Sequence, residues 1–174
     1  QGFTELTERL EPEVLTQLIT EYLTEMSKIA IKWGGTIDKF IGDAMLVFFG
    51  DPNSLGEKKD AIACVSMAVE MLEKLASLRK VWKERGVPKS LNARIGIHSG
   101  TCTVGNFGSE DRLDYTIIGR GVNLASRLES SSKPNRILIS EDTRTLVKDH
   151  IISQKKEEIF VKGISYPVQT YEIS

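Results

Sequence analysis

Thr36-Ile37-Asp38-Lys39-Phe40-Ile41 leads into Gly42-Asp43 and then into Ala44-Met45-Leu46-Val47-Phe48-Phe49. Two β-rich runs on either side of a Gly-Asp pair predict a hairpin. The second run is apolar throughout, which predicts a central strand covered on both faces. Upstream, Val14, Leu15, Leu18, Ile19, Tyr22, Leu23, Met26, Ile29, Ala30 and Trp33 recur at three- and four-residue spacing and mark one apolar helix stripe. Pro12 suits the first turn of that helix, and Gly34-Gly35 ends it. Downstream, Gly50 to Gly56 reads as a loop, and a second amphipathic helix is predicted from about Glu57 to Glu84, stopped by Gly86 and Pro88. Strands are then predicted over 92–98, 103–107 and 114–117, with turns at Ser99-Gly100 and Gly108-Ser109, and a helix over 122–129. The tail offers a strand at Ile137-Ile139, a helical turn after Ser140, and strands over 151–160 and 168–173. Helices alternate with strands but hairpins intervene, so the expected class is α+β, a sheet with helices on it, and not a doubly wound parallel sheet.

The chain has 174 residues and 19.4 kDa, the size of one domain, with no internal repeat. Lys and Arg total 23 against 24 Asp and Glu, giving a net charge of −1. A domain so balanced has no basic field to meet nucleic acid or an anionic membrane, and no apolar run approaches the length of a membrane span. The cysteines, Cys64 and Cys102, lack metal-ligand spacing, which predicts reduced thiols in a cytoplasmic protein. The opening Gln1-Gly2-Phe3-Thr4 has no initiator Met and reads as an excised piece whose beginning lies upstream.

Three stretches combine glycine, charge and strand. In Lys39-Phe40-Ile41-Gly42-Asp43, an acid at a hairpin tip is held rigidly and can reach a hard cation such as Mg²⁺; it is equally a common turn former. In the stretch from Asp114 to Glu129, a strand ends at Gly119 and opens a helix. Asn123 and Arg127 lie four residues apart on one face, suited to an anionic group or simply to solvent. Gly2-Phe3-Thr4 enters a helix, where free N–H groups can receive phosphate. His98, after a strand and before Ser99-Gly100, could act as a base, although turn packing explains it better. Phe40 and Trp33 read as core or pocket wall, and Gly105-Asn106-Phe107-Gly108 reads as a hairpin turn.

Taken in order, Gly2-Phe3-Thr4, Lys39 to Asp43, Gly96-Ile97-His98-Ser99-Gly100, Asp114 to Gly119 and Val122 to Arg127 resemble the class III nucleotidyl cyclase catalytic domain, with bacterial and cyanobacterial adenylyl cyclases closest. The likeness extends to Val161-Lys162-Gly163 and the final strand, so it covers nearly all of residues 1–174 as a single catalytic domain. It implies a ferredoxin-like βαβ core working as a head-to-tail homodimer with composite sites at the interface. The substrate implied is ATP, and the cofactors are two divalent cations, Mg²⁺ or Mn²⁺, held by two aspartates. Asp43 matches the second aspartate. The first belongs two residues before Gln1, on a first strand that this sequence does not include.

By the same resemblance, backbone amides near Gly2 and Phe3 and the Thr4 hydroxyl contact the triphosphate, Lys39 and Thr116 read the purine, and Lys162 contacts phosphate. Asn123 and Arg127 form the transition-state pair. Thr116 stands where many adenylyl cyclases carry Asp and guanylyl cyclases carry Cys. Relatives with Thr there include bicarbonate-responsive enzymes, which implies a possible bicarbonate response here. Arg120 replaces an Asp common in bacterial relatives, outside the catalytic set. The implied activity is adenylyl cyclase; the alternatives are a guanylyl cyclase, disfavoured by Lys39 and Thr116, and a silent dimerising module, disfavoured by the retention of Asp43, Asn123, Arg127 and Lys39 together.

Overall fold

The apolar stripe of the first third folds as one long helix in the computed structural model of the chain, which describes residues 3–88 and 91–174. A short helix α1 (Phe3–Arg9) precedes it, and the long helix α2 (Pro12–Lys32) begins with proline in its first turn, where no N–H is needed. The predicted hairpin forms as β1 (Thr36–Ile41) and β2 (Ala44–Phe48), with Ile41 opposite Ala44. Gly42-Asp43 makes the two-residue turn, and Gly42 takes the positive φ of 62° that such tight turns require. Next come α3 (Glu57–Glu84), β3 (Arg94–Ile97), and a second hairpin of β4 (Thr103–Ser109) and β5 (Arg112–Ile118). The chain ends with α4 (Arg120–Ser131), β6 (Arg136–Ser140), α5 (Glu141–Val147), β7 (Ser153–Ile159) and β8 (Val168–Ile173). Ser140 caps α5, its hydroxyl accepting from the Thr143 N–H.

The α+β expectation holds. A four-stranded mixed sheet runs in the order β3-β6-β8-β7, with β3 and β6 parallel and the other pairs antiparallel. Its two faces carry different helices because neighbouring residues of β6 point opposite ways. Ile137 and Ile139 pack with Val65 and Ala68 of α3 and Val147 of α5, whereas Leu138 packs with Leu124 and Leu128 of α4. A third cluster joins α1, α2 and α3 through Leu6, Leu18, Met26, Met71 and Leu75. Both cysteines are free thiols, and burial pushes that of Cys64 up to about 12, well clear of thiolate chemistry. Among the described residues no helix is long and apolar enough to cross a membrane.

Four local expectations are corrected. Gly108-Ser109 is not a turn, and Gly105 to Gly108 is not a hairpin loop. Gly105 pairs with Thr116 and Gly108 with Leu113, so both glycines lie in the β4–β5 ladder and the reversal falls at Glu110-Asp111. Phe40 is not core, being 49% exposed on the hairpin. The apolar run 44–49 is not a strand covered on both sides: β2 pairs only with β1 among the described residues, and Phe48 is its one buried residue. An apolar run says that a strand meets apolar neighbours, but not which of its edges is paired.

Gly96 sets how closely α4 approaches β3. A Cβ at that position would lie 2.2 Å from Glu129 N and 2.4 Å from Ala125 O, both helix backbone atoms that cannot yield by a rotamer change. Gly96→Ala is expected to destabilise the fold by about 3 kcal/mol, the upper end of overpacking costs, read as a lowered urea midpoint at unchanged slope. A loss below about 0.5 kcal/mol would show that α4 does not depend on this contact.

Candidate active site

The hairpin β1–β2 departs from regular pairing at one place. Ile37 faces Val47 and Lys39 faces Leu46, so Asp38 is the extra residue of a β-bulge. In a regular strand Asp38 and Lys39 would point to opposite faces; the bulge lets both side chains turn toward β5. The Asp38 carboxylate accepts from Thr116 Oγ1 at 3.0 Å (Oδ1) and 2.8 Å (Oδ2), and from the Ile117 N–H at 2.8 Å. Lys39 Nζ lies 3.6 Å from its Oδ1. Lys39 and Thr116, assigned together from sequence, are thus joined through a residue that the sequence reading passed over. The signal was there in the polar pair Asp38-Lys39, which breaks the alternation of the strand.

Asp43 closes the hairpin on the side of α2. The Tyr22 hydroxyl is held above its usual range, first by burial and then by the nearby Asp43 carboxylate. Asp43 lines a cavity of about 1520 Å³ together with Phe3 and Thr4 of α1 and Asn123 of α4. Residues 43–51 and 91–102 border it in unbroken runs. Alternate residues of a strand point to opposite faces, so a cavity touching all of them runs along the strand edge. Among the described residues β2 pairs only with β1 and β3 only with β6, and the other edge of each borders this space. Gly2, expected to offer backbone amides to phosphate, lies outside the described residues.

Among the described residues no group of three or more His, Cys, Asp and Glu side chains converges as a metal site. Asp43 supplies one carboxylate. That fits Mg²⁺ as one protein ligand among waters and substrate phosphates, the usual manner in which this ion is held.

Helix α4 carries the other pair. Leu124 and Leu128 are buried, which fixes the helix rotation and leaves Asn123 and Arg127, one turn apart, on the exposed side. Neither side chain makes a hydrogen bond or ion pair among the described residues, so the amide and the guanidinium fork are open to a ligand. Lys162 is exposed in the turn after β7, beside buried Val161, which packs with Leu124 and Leu128. Arg120 is exposed at the start of α4. Lys39, Thr116, Arg127 and Lys162 do not border the cavity that holds Asp43, Phe3 and Thr4.

His98 is a packing residue. Its Nδ1 lies 2.8 Å from Ser140 Oγ, and its ring sits against Gly100 and Gly121. Burial lowers its pKa, opposed by the Asp142 charge, so the ring favours the neutral form.

The sequence profile of the adenylate and guanylate cyclase catalytic domain matches residues 1–174. An adenylate cyclase of Anabaena cylindrica is 33% identical over 179 residues, covering 99% of this chain and 35% of its own length. The chain thus spans about a third of that relative. The crystal structure of the adenylyl cyclase CyaB from P. aeruginosa superposes with a TM-score of 0.97 at 57% identity, covering 100% of this chain and 89% of that one. The structure of the guanylyl cyclase Cya2 superposes with a TM-score of 0.91 at 35% identity, covering 99% and 86%. The same architecture therefore serves both nucleotides, and the choice between them rests on side chains.

Proposed function

The chain belongs to the adenylate and guanylate cyclase catalytic domain family, and we propose that it is an adenylyl cyclase domain converting ATP to 3′,5′-cyclic AMP and pyrophosphate. The observation that carries the choice of base is the juxtaposition of Lys39 and Thr116 on the buried Asp38 carboxylate. A lysine ammonium only donates and suits adenine N1; a threonine hydroxyl can accept from the 6-amino group. In the reaction the ribose 3′-oxygen attacks the α-phosphorus in line, the bond to the β-phosphate oxygen breaks, and pyrophosphate leaves. Arg127 stabilises charge growing on the α-phosphate oxygens, a contact worth most in the transition state. Asn123 orients the ribose. Phe3, Thr4 and Lys162 hold the triphosphate. Asp43, with a second carboxylate, would hold divalent cations, which would supply charge neutralisation at the phosphates and a lowered pKa at the 3′-hydroxyl.

The site is composite in this reading. Phe3, Thr4 and Asp43 of one subunit face Lys39, Thr116, Asn123 and Arg127 of its partner in a head-to-tail homodimer. Support comes from exposed apolar side chains on both hairpins, Phe40 and Ile41 on β1 and Leu113, Tyr115 and Ile118 on β5, which a monomer would leave in water.

The edges of β2 and β3 that border the cavity support a further part of the proposal: an extended strand of the longer protein fills that space and brings the second metal carboxylate beside Asp43. The experiment compares residues 1–174 with a longer chain that adds the preceding segment, assayed for cyclic AMP from ATP with Mg²⁺ or Mn²⁺. The longer chain is expected to exceed the shorter by at least about 100-fold, as removal of a catalytic charge contact costs. Equal turnover would refute the strand and its carboxylate, and cyclic GMP as the main product would refute the choice of base. The same assay with added bicarbonate tests regulation by that ion.

A further inference from the structure

Asp38 has no assigned role in the reaction, yet its side chain is 1% exposed and its contacts converge on the base-reading pair. A hydroxyl has one proton and two lone pairs, and a carboxylate has no proton to give. Across the 2.8 Å contact, therefore, Thr116 is the donor and Asp38 the acceptor. The Ile117 N–H, also bonded to Oδ2, keeps the carboxylate from turning away. We propose that Asp38 determines base specificity by committing the only proton of the Thr116 hydroxyl, so that Thr116 faces the purine as an acceptor alone; this rests on the assignment of Thr116 to the 6-position of the base.

The consequence is chemical polarity. A free threonine hydroxyl rotates, accepting from the 6-amino group of adenine or donating to the 6-oxygen of guanine, and so separates the two poorly. A hydroxyl whose proton is held by a buried carboxylate retains only lone pairs for the ligand. The same carboxylate lies 3.6 Å from Lys39 Nζ and keeps the ammonium near Thr116. One buried acid thereby presents a donor and an acceptor side by side, the complement of adenine N1 and its 6-amino group. The bulge at Asp38 is what makes this possible, since a regular β1 would send Asp38 and Lys39 to opposite faces.

The test compares ATP with purine riboside triphosphate, which lacks only the 6-amino group, on the full-length protein and on Asp38→Asn. The readouts are Kd by equilibrium titration and kcat/KM. Asp38→Asn keeps the shape of the side chain; its oxygen, in the Oδ2 place, stays with the Ile117 N–H, and its NH₂, in the Oδ1 place, donates to the Thr116 hydroxyl, whose proton is then held only by a neutral amide oxygen and can turn to the base. The unmutated protein is expected to prefer ATP over purine riboside triphosphate by roughly tenfold or more, and Asp38→Asn to lose that preference; a loss through Lys39, which serves N1 of both nucleotides, falls on both and cancels in their ratio. Relative use of GTP should rise in the variant. Equal losses on both nucleotides, the mark of a displaced hairpin, would overturn the proposal, as would an unchanged ratio. An unmutated protein that does not distinguish the two nucleotides would instead remove Thr116 from the 6-position, so the two failures are separable. Should Asp38→Asn not fold, 6-methoxypurine riboside triphosphate tests the unmutated protein, because its 6-oxygen can only accept. It is expected to bind no tighter than purine riboside triphosphate, and tighter binding would show a proton that Asp38 does not hold.

Discussion

Asp43→Ala and Asn123→Ala, each prepared as a homodimer of the full-length protein, are expected to lose activity by roughly 100- to 1,000-fold, the scale for removing a group that acts on transition-state charge or position. Mixed together, the two inactive proteins should recover. A two-fold symmetric dimer built from one surface patch contains two equivalent composite sites. In the mixed dimer one site receives both substitutions and the other receives neither. With random exchange half of the dimers are mixed and each has one intact site, so about one quarter of the unmutated activity should return. The measurement is cyclic AMP formation against mixing ratio, with exchange verified by mass or by tagged subunits. Verified exchange without recovery would place Asp43 and Asn123 in the same subunit's site and end the composite reading. Within one chain Asn123 borders the same cavity as Asp43, and Arg127, one turn further along α4, lies away from it, so the mixing experiment and not the cavity lining decides between the two arrangements.

What the sequence could show depended on how local each feature is. The hairpin 36–48 was legible because Gly42-Asp43 is a turn signal between two β-rich runs. Helix α3 was legible to its ends, and the pair Asn123 and Arg127 could be placed on one face from spacing alone. The contact between Asp38 and Thr116 could not be read this way. The two residues are 78 positions apart, and the bulge that turns Asp38 toward β5 appears in sequence only as a break in alternation. The free edge of β2 escaped for a related reason. Side-chain pattern reports what lies above and below a strand, while edge pairing depends on backbone groups that every residue shares. Gly108 misled as a turn residue because the same residue type serves close approach within a ladder; a Cβ there would lie 2.1 Å from Arg112 O.

Lys39→Glu combined with Thr116→Cys is expected to reverse the nucleotide preference. Guanine presents a donor at N1 and an acceptor at O6, opposite to adenine at both positions. Lys39 therefore sets donor against donor at N1 of guanine, whereas a glutamate in its place accepts from N1, and a thiol at 116, which bonds the Asp38 carboxylate more weakly than a hydroxyl does, is freer to turn its proton to O6. Each mismatched buried contact costs about 1–3 kcal/mol, so two contacts exchanged together should move the ATP-to-GTP ratio of kcat/KM by roughly 100-fold or more. Total activity should fall, because the new glutamate stands beside the Asp38 carboxylate, which Lys39 now faces at 3.6 Å. The ratio is the quantity to measure, since damage common to both nucleotides cancels in it. The single changes should not add up to the double. Lys39→Glu alone leaves a threonine hydroxyl whose proton Asp38 still holds, so O6 of guanine remains unpaired and the gain toward GTP should be small. Adding Asp38→Asn to Lys39→Glu leaves that proton to a neutral amide oxygen, a weaker acceptor, and removes the neighbouring negative charge. That pair should recover much of the GTP use that Thr116→Cys provides, although residue 116 is unchanged. A folded Lys39→Glu, Thr116→Cys protein with the unmutated ratio would show that neither side chain reads the base, and the assignment of this domain to ATP would lose its ground.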